Sequence, residues 1–162
     1  ITVNQILNKE PVKRAEKSIK DFDPNLKIIC LDQTARTAQD AATALGCNVG
    51  AIVKSLLFDC GNEFILCLVS GVKRCSLNKI KKILNKKNVS MAKPEDVKNI
   101  TGYTIGGVSP VGHLVKIKIY IDSNLERFKE VFAAAGHPNC VFKIEYNQLI
   151  KLTSGDIKDI VE

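Results

Sequence analysis

Only two histidines, His113 and His137, occur in the 162 residues, and there is no Cys-x-x-C pair. Catalytic zinc needs three protein ligands, and structural zinc draws on closely spaced cysteines, so no metal centre is indicated. The six cysteines (Cys30, Cys47, Cys60, Cys67, Cys75 and Cys140) lie at least seven positions apart, several in apolar runs such as Leu66-Cys67-Leu68. They read as reduced, mostly buried thiols, which behave as small hydrophobes. Long apolar runs are also missing. Lys54 interrupts Ala51–Phe58, and Phe64–Val69 is only six residues, far short of the ~20 that cross a bilayer. The stretch Ile1–Arg14 is polar and has no apolar signal-peptide core. The expectation is a soluble, cytoplasmic protein with no membrane partner and no cofactor.

Net charge is absent outside one segment. The chain carries 24 Lys and Arg against 17 Asp and Glu. Nine of the basic residues fall between Lys73 and Lys98 (Lys73, Arg74, Lys79, Lys81, Lys82, Lys86, Lys87, Lys93 and Lys98), with only Glu95 and Asp96 opposing them. That window holds the whole net charge of +7, and the rest of the chain is balanced. It contains no Phe, Tyr or Trp on which a base could stack. It can therefore hold a nucleic acid by its phosphates, which position without reading sequence, or be a solvated lysine face.

A 45% hydrophobic content supports a real core, and this length fits one domain, residues 1–162, with an N-terminal helical segment over 1–25. Val12, Ala15, Ile19 and Phe22 stand at helical spacing after a break or restart at Pro11. Leu26–Leu31 reads as a strand. Thr37-Ala38-Gln39-Asp40 has capping-box form and opens a helix ending at Gly46. Ala51–Phe58 and Phe64–Val69 form a hairpin, and Ser76–Asn85 an amphipathic helix with Leu77, Ile80, Ile83 and Leu84 inward. Pro94 opens a further helix. After the Gly-rich stretch Gly102–His113 come a strand over Val115–Ile121 and a helix from a Ser123–Glu126 capping box through Glu130. A turn over Ala134–Asn139, a strand over Val141–Ile144 and a last helix capped by Ser154 complete the reading. Irregular alternation with one hairpin predicts an α/β chain of mixed α+β type with a mixed sheet.

Besides the basic segment, three features could carry chemistry: Lys54, the Gly106–His113 stretch and the Ala134–Asn139 turn with His137. Lys54 shares a strand face with Ile52, Leu56 and Phe58, and a charge there is costly unless it is paired or opens to a cleft. It is either a point charge for a phosphate or carboxylate, or an edge-strand lysine that blocks aggregation. Gly106-Gly107-Val108-Ser109-Pro110-Val111-Gly112-His113 fixes an unusual backbone path that lets a ligand approach closely. No Gly-Lys-Ser/Thr follows, so it is not a P-loop, and no Ser…Asp…His order can be built around Ser109. His113 and His137 could each act as a base by intrinsic pKa, though histidines without catalytic work are commoner.

Ile52-Val53-Lys54-Ser55-Leu56-Leu57-Phe58, Met91-Ala92-Lys93-Pro94-Glu95-Asp96-Val97 and Thr101-Gly102-Tyr103-Thr104-Ile105 running on through the Gly106–His113 stretch occur together and in order. With Ala135-Gly136 and Thr153-Ser154-Gly155-Asp156-Ile157, they make the chain from about Thr34 onward resemble the YbaK/EbsC family, the free-standing relatives of the prolyl-tRNA synthetase editing domain. The resemblance implies a mixed, partly barrel-like sheet flanked by helices. It also implies an aminoacyl-tRNA deacylase that cleaves a wrong, small amino acid from the 3′ end of tRNA, tRNA-Pro above all. In that frame Lys54 holds the terminal phosphate, while Gly106, Gly107, Val108, Ser109 and Pro110 fix the ester and an attacking water. Ser55, Tyr103, Gly112, His113, Gly136 and His137 belong to the substrate pocket, which the turn at Gly136-His137 helps close. Lys73, Arg74, Lys81, Lys82, Lys86 and Lys87 dock the acceptor end, and prolyl-tRNA synthetase is an implied partner.

The chain departs from its relatives at informative points. Ser55 follows the lysine where alanine-clearing relatives have Asn. Gly-His-Pro-Asn replaces the Gly-Gly-Lys-Arg turn of the cysteine-clearing ones, and His113 replaces their Gln. The amino acid cleared is left open between Cys, Ala, Ser, Thr and another small residue. The competing reading is a non-catalytic tRNA-binding or synthetase-associated module of the same fold. A Cys- or Ser-dependent hydrolase lacks a base partner.

Overall fold

The computed structural model describes residues 1–31 and 37–162; Thr34, where the resemblance begins, lies outside them. Two helices open the chain, α1 (Val3–Leu7) and α2 (Glu10–Phe22), and Pro11 stands in the first turn of α2, where its missing N–H costs nothing. Strand β1 (Ile28–Cys30) follows, then α3 (Ala38–Leu45), capped by the Thr37 hydroxyl on the Asp40 amide and closed by left-handed Gly46. A 3₁₀ turn over Val49–Ala51 leads to the hairpin β2 (Val53–Asp59) and β3 (Phe64–Ser70). Next come α4 (Leu77–Leu84), β4 (Ser90–Met91), α5 (Pro94–Thr101) and β5 (Lys118–Asp122). The chain then runs through β6 (Glu130–His137), β7 (Cys140–Glu145), α6 (Tyr146–Thr153) and β8 (Asp156–Lys158).

The strands form two sheets, β1-β7-β6 and β4-β2-β3-β5-β8. The first is antiparallel; the second is mixed, with β3-β5 and β5-β8 parallel. Among the described residues one bridge, between Ile52 and Phe132, joins them, so the mixed sheet that the resemblance implies is here two sheets meeting at a seam. The main core lies between α2 and the sheets, where Val12, Ala15 and Ile19 meet Val53, Leu57, Leu66, Val131 and Phe142. On the other face of the larger sheet, Phe58, Ile65, Cys67 and Val69 pack against Ile80 of α4. Strand β3 is thus covered on both faces, which explains its unbroken apolar run.

Four expectations are corrected. The run Ala133-Ala134-Ala135 has strong helical propensity, yet it pairs with β7 in β6; a strand therefore occupies most of the expected Ala134–Asn139 turn, and only Pro138-Asn139 bend. Asp122, not Ser123, caps the following segment, which is a 3₁₀ turn over Ser123–Arg127. Ser154 ends α6 in a left-handed conformation (φ 53°) and is followed by β8, not by a helix. Leu77 and Ile83 on α4 are exposed, because only the Ile80 side of this two-turn helix meets the sheet. All six cysteines are free thiols; Cys60, Cys67 and Cys140 are buried and the other three partly so.

Candidate active site

Strand β2 pairs with β3 without interruption from Val53 to Asp59. Its outer edge has strand partners only at the ends: Phe132 of β6 opposite Ile52, and β4 opposite Phe58 and Asp59. The Leu57 carbonyl accepts the Ala92 amide on that outer side. Peptide groups alternate along a strand, so the Ser55 N–H and C=O face the same way, into an interval with no strand partner among the described residues. A cavity of about 240 Å³ fills the interval. Thr37, Ala38 and Ala41 of the α3 end, Ile52 through Leu56, Ile105, Gly106 and Val108, and Phe132, Ala134, Pro138 and Val141 line it.

Lys54 stands between this cavity and a larger one of about 630 Å³ on the α4 side, lined also by Arg74, Cys75, Ser76, Lys81 and Met91. Its Nζ donates to the Lys73 carbonyl at 2.5 Å, which holds the amine at the cavity wall. Burial lowers the Lys54 pKa; Cys75 opposes that shift, Arg74 adds to it and Asp122 opposes it. Cys75 has its own pKa lowered, first by a hydrogen bond with Cys67, against burial, with Lys54 also contributing. Ser55 points to the opposite face from Lys54, beside Val53 and Leu57. Its Oγ is buried and has no hydrogen-bond partner.

The glycine loop faces this open edge across the smaller cavity. Gly106 and Val108 line the cavity, whereas Gly107, Ser109 and Pro110 are buried behind it. A Cβ on Gly107 would lie 2.9 Å from backbone atoms of His137, and the Gly136 amide donates to the Gly107 carbonyl at 3.1 Å. Loop and β6 are therefore in backbone contact. Ser109 is fully buried, and its Oγ accepts the Val111 amide at 3.4 Å, a position unsuited to nucleophilic attack.

Neither histidine ring lines the smaller cavity. His113 Nε2 donates to the Ser109 carbonyl at 2.7 Å, and burial lowers its pKa, so it braces the loop as a neutral ring. His137 Nδ1 accepts the Asn139 amide at 3.0 Å, and its side chain borders a different cleft with Lys9, Pro11 and Lys98. The expected closure by the Gly136-His137 turn is corrected: Ala134 and Pro138 form that wall, because β6 continues to His137 and turns its ring away. Tyr103 and Gly112 also lie behind the loop, with Tyr103 Oη donating to the Val111 carbonyl at 2.8 Å. Burial pushes the Tyr103 phenol up to about 12.

Among the basic residues, Arg74 and Lys81 line the larger cavity. Lys73 supplies the carbonyl that binds Lys54, while Lys82 and Lys87 project into solvent. Lys86 is tied to the β2-β3 turn by an ion pair with Glu63 at 3.1 Å.

Arg14 is one residue that sequence reasoning missed. From α2 its Nε donates to the Gly112 carbonyl and its Nη2 to the Gly102 carbonyl, both at 2.8 Å, while its guanidinium lies 4.7 Å from the Tyr103 ring centre. The glycine loop is thus clasped from behind by the N-terminal helix. A basic residue between Val12 and Ala15, at the edge of a buried helix face, was the only signal for it.

The arrangement is a small cleft between an unpaired strand edge and a glycine loop, with an amine at its rim and no nucleophile–base pair among the described residues. Residues 32–152 match the aminoacyl-tRNA editing domain, and the chain belongs to that family. It is 31% identical over 119 residues to the uncharacterized protein YwhH of Bacillus subtilis, covering 73% of this chain and 75% of that one. A candidate Cys-tRNA(Pro)/Cys-tRNA(Cys) deacylase, EbsC of Enterococcus faecalis, is 26% identical over 126 residues, 76% of each chain. The proline–tRNA ligase of Fervidobacterium nodosum is 33% identical over 132 residues, but the match spans 75% of this chain and only 21% of the ligase. A solved structure described as a candidate trans-editing enzyme for prolyl tRNA synthetase superposes with a TM-score of 0.90 at 36% identity, covering 95% of this chain and 98% of that one. Its mixed α+β fold is that of this protein. No helix among the described residues is long and apolar enough to cross a membrane.

Proposed function

We propose that the protein is a trans-acting deacylase that hydrolyses the ester joining a mischarged small amino acid to the 3′ end of tRNA, tRNA-Pro being the favoured acceptor. The observation that carries this reading is the unpaired interval of β2 opposite the glycine loop. An ester lying in the interval meets backbone groups on both walls, the outward-facing Ser55 peptide on one and Gly106 and Val108 on the other. Attack of water on the ester carbonyl builds negative charge on its oxygen, and fixed N–H dipoles in a narrow cleft stabilise that charge without reorganising. An aminoacyl ester is already activated, so positioning and this stabilisation suffice without a covalent intermediate. The ribose 2′-hydroxyl of the terminal nucleotide is the group at hand to orient the water.

Lys54 holds the phosphate of the terminal nucleotide from the rim, and Arg74 and Lys81 in the neighbouring cavity take phosphates further along the acceptor strand. Such a substrate places the protein in the cytoplasm, where a prolyl-tRNA synthetase that releases mischarged tRNA is the natural partner. The test is a deacylation panel with Cys-, Ala-, Ser-, Thr- and Pro-tRNA, using wild type and Lys54→Ala. Hydrolysis of at least one mischarged tRNA, lost in Lys54→Ala, is expected. Binding of tRNA with turnover of none would leave only the non-catalytic module.

A further inference from the structure

Two thiols face each other across the smaller sheet. β1 and β7 are antiparallel, with Cys30 directly opposite Cys140. The Leu31 amide donates to the Asn139 carbonyl at 2.7 Å, so Leu31 and Asn139 are a hydrogen-bonded pair and Cys30 and Cys140, one step along, are not. Partners of the second kind stand with Cα atoms about 4.5 Å apart and side chains on one face, within the span that a disulfide bridges. Here the two Sγ atoms are 3.7 Å apart, and both residues pack into the main core. β1 is the edge strand of its sheet and Cys30 is partly exposed, whereas Cys140 is fully buried. The deacylase reading uses neither thiol.

We propose that Cys30 and Cys140 are a modification site, a thiol pair that reacts with a small disulfide of the glutathione type and closes to a reversible cross-strand disulfide. Burial, and after it the Cys30 thiol, pushes Cys140 up to about 12, so the partly exposed Cys30 meets the oxidant first. Its thiolate attacks one sulfur of the small disulfide, forming a mixed disulfide and releasing one small thiolate. Cys140 then attacks Cys30 Sγ, the bond from Cys30 to the small thiol breaks, and a second small thiolate leaves with the electron pair. The proton from Cys140 neutralises the first small thiolate and the proton from Cys30 the second. Two protein thiols are oxidised and one small disulfide is reduced to two thiols. In the mixed disulfide Cys30 carries no charge, so its share in raising Cys140 is gone and burial alone opposes the second step. Register distinguishes this pair from Cys67 and Cys75: it sets Cys67 opposite Leu56 and Tyr120, and Cys75 opposite Val161.

The test is to equilibrate the folded protein with mixtures of oxidised and reduced glutathione, block free thiols, and map disulfides by mass spectrometry of unreduced peptides. A peptide pair linked through Cys30 and Cys140 is expected in wild type, reversed by excess reduced glutathione and absent from Cys30→Ser. Cys30 left as a free thiol, or held as a lasting mixed disulfide, overturns the proposal whatever other thiols react. Unfolding in urea before oxidation should abolish the preference for this link; the same preference in urea would assign it to the chain and not to the strand register, and overturns the proposal too. Because the link ties an edge strand to its neighbour across a long loop, oxidised wild type should melt about 4–16 °C above the reduced protein. Cys30→Ser, taken through the same oxidation, should show no such gain. A wild-type link with no gain over Cys30→Ser would mean that the register must break to form it, and would also overturn the proposal. These readouts are thiols and melting, so they stand apart from whether the protein hydrolyses aminoacyl-tRNA.

Discussion

Replacing Arg14 by Ala should loosen the glycine loop from a distance. Arg14 donates two 2.8 Å hydrogen bonds to the carbonyls of Gly102 and Gly112 and lies over Tyr103. Hydrogen bonds to a charged group contribute about 1.5–3 kcal/mol each, and a cation–π contact about 0.5–1 kcal/mol. The Glu10 ion pair adds little, since the Glu10 side chain is 70% exposed. Water will reach part of the vacated space and re-solvate one carbonyl, so a net loss of about 3 kcal/mol is expected. For a chain of this length that corresponds to roughly 6–12 °C in Tm. Thermal denaturation measures it, with Glu10→Gln as the control expected to shift Tm by no more than about 2 °C. Amide exchange should accelerate at Gly107 and Val115, whose N–H groups bond the carbonyls of Thr104 and Ile100 around the loop. An Arg14→Ala melt within about 2 °C of the control, with exchange at those amides unchanged, would refute the clasp.

The remaining predictions concern the site and its charges. Gly107→Ala places a Cβ 2.9 Å from the His137 backbone and should destabilise the protein by about 1–3 kcal/mol, visible as a lower urea midpoint; an unchanged midpoint would contradict the loop–β6 contact. Because burial lowers the Lys54 pKa, its charge is lost at a pH below the ordinary 10.5, so affinity for a phosphorylated, non-hydrolysable aminoacyl-adenosine amide should fall before that pH is reached. Lys54→Arg should hold its affinity through the same range, and identical profiles would remove Lys54 from phosphate binding. Lys81→Glu should weaken tRNA binding and flatten its salt dependence more than Lys86→Glu, since Lys86 is already paired with Glu63; equal effects would reject the larger cavity as the docking path. Burial lowers the His113 pKa, so the unfolded chain binds the proton more tightly, and stability should fall as pH drops through about 6.5. His113→Gln should reduce that slope, as read from denaturant midpoints between pH 5 and pH 8.

The parts of this protein legible in its sequence are those that local physics decides. Thr37 and Gly46 bracket α3 because a hydroxyl cap and a left-handed glycine are local solutions, and the β2-β3 hairpin follows from its apolar runs. Lys54 stood out because a charge on a buried strand face needs a reason. Strand β6 was illegible because Gly136-His137-Pro138-Asn139 after three alanines reads as a turn, and only pairing with β7 makes most of it a strand. Phe132 and Ala134, which line the cavity, were lost with it. The basic segment shows the limit of counting charge: Lys79 is engaged by Asp159 and Lys86 by Glu63, so only some of its cations face the cavity beside Lys54. His113 and His137 carried the right intrinsic pKa for catalysis, and their hydrogen bonds turn both rings to supporting work.

The clasp on the glycine loop also has a kinetic meaning. It joins residues 88 and 98 positions apart, and closing loops of that length costs entropy before any bond rewards it. Contacts of this kind belong to the last stages of folding, so Arg14 substitutions should accelerate unfolding and leave the folding rate nearly unchanged. During synthesis, α2 emerges ahead of the loop and waits for on the order of a hundred residues before the loop it holds exists. The cleft is then among the last regions to assemble and the first to open, although the strand that carries Lys54 belongs to the earliest hairpin.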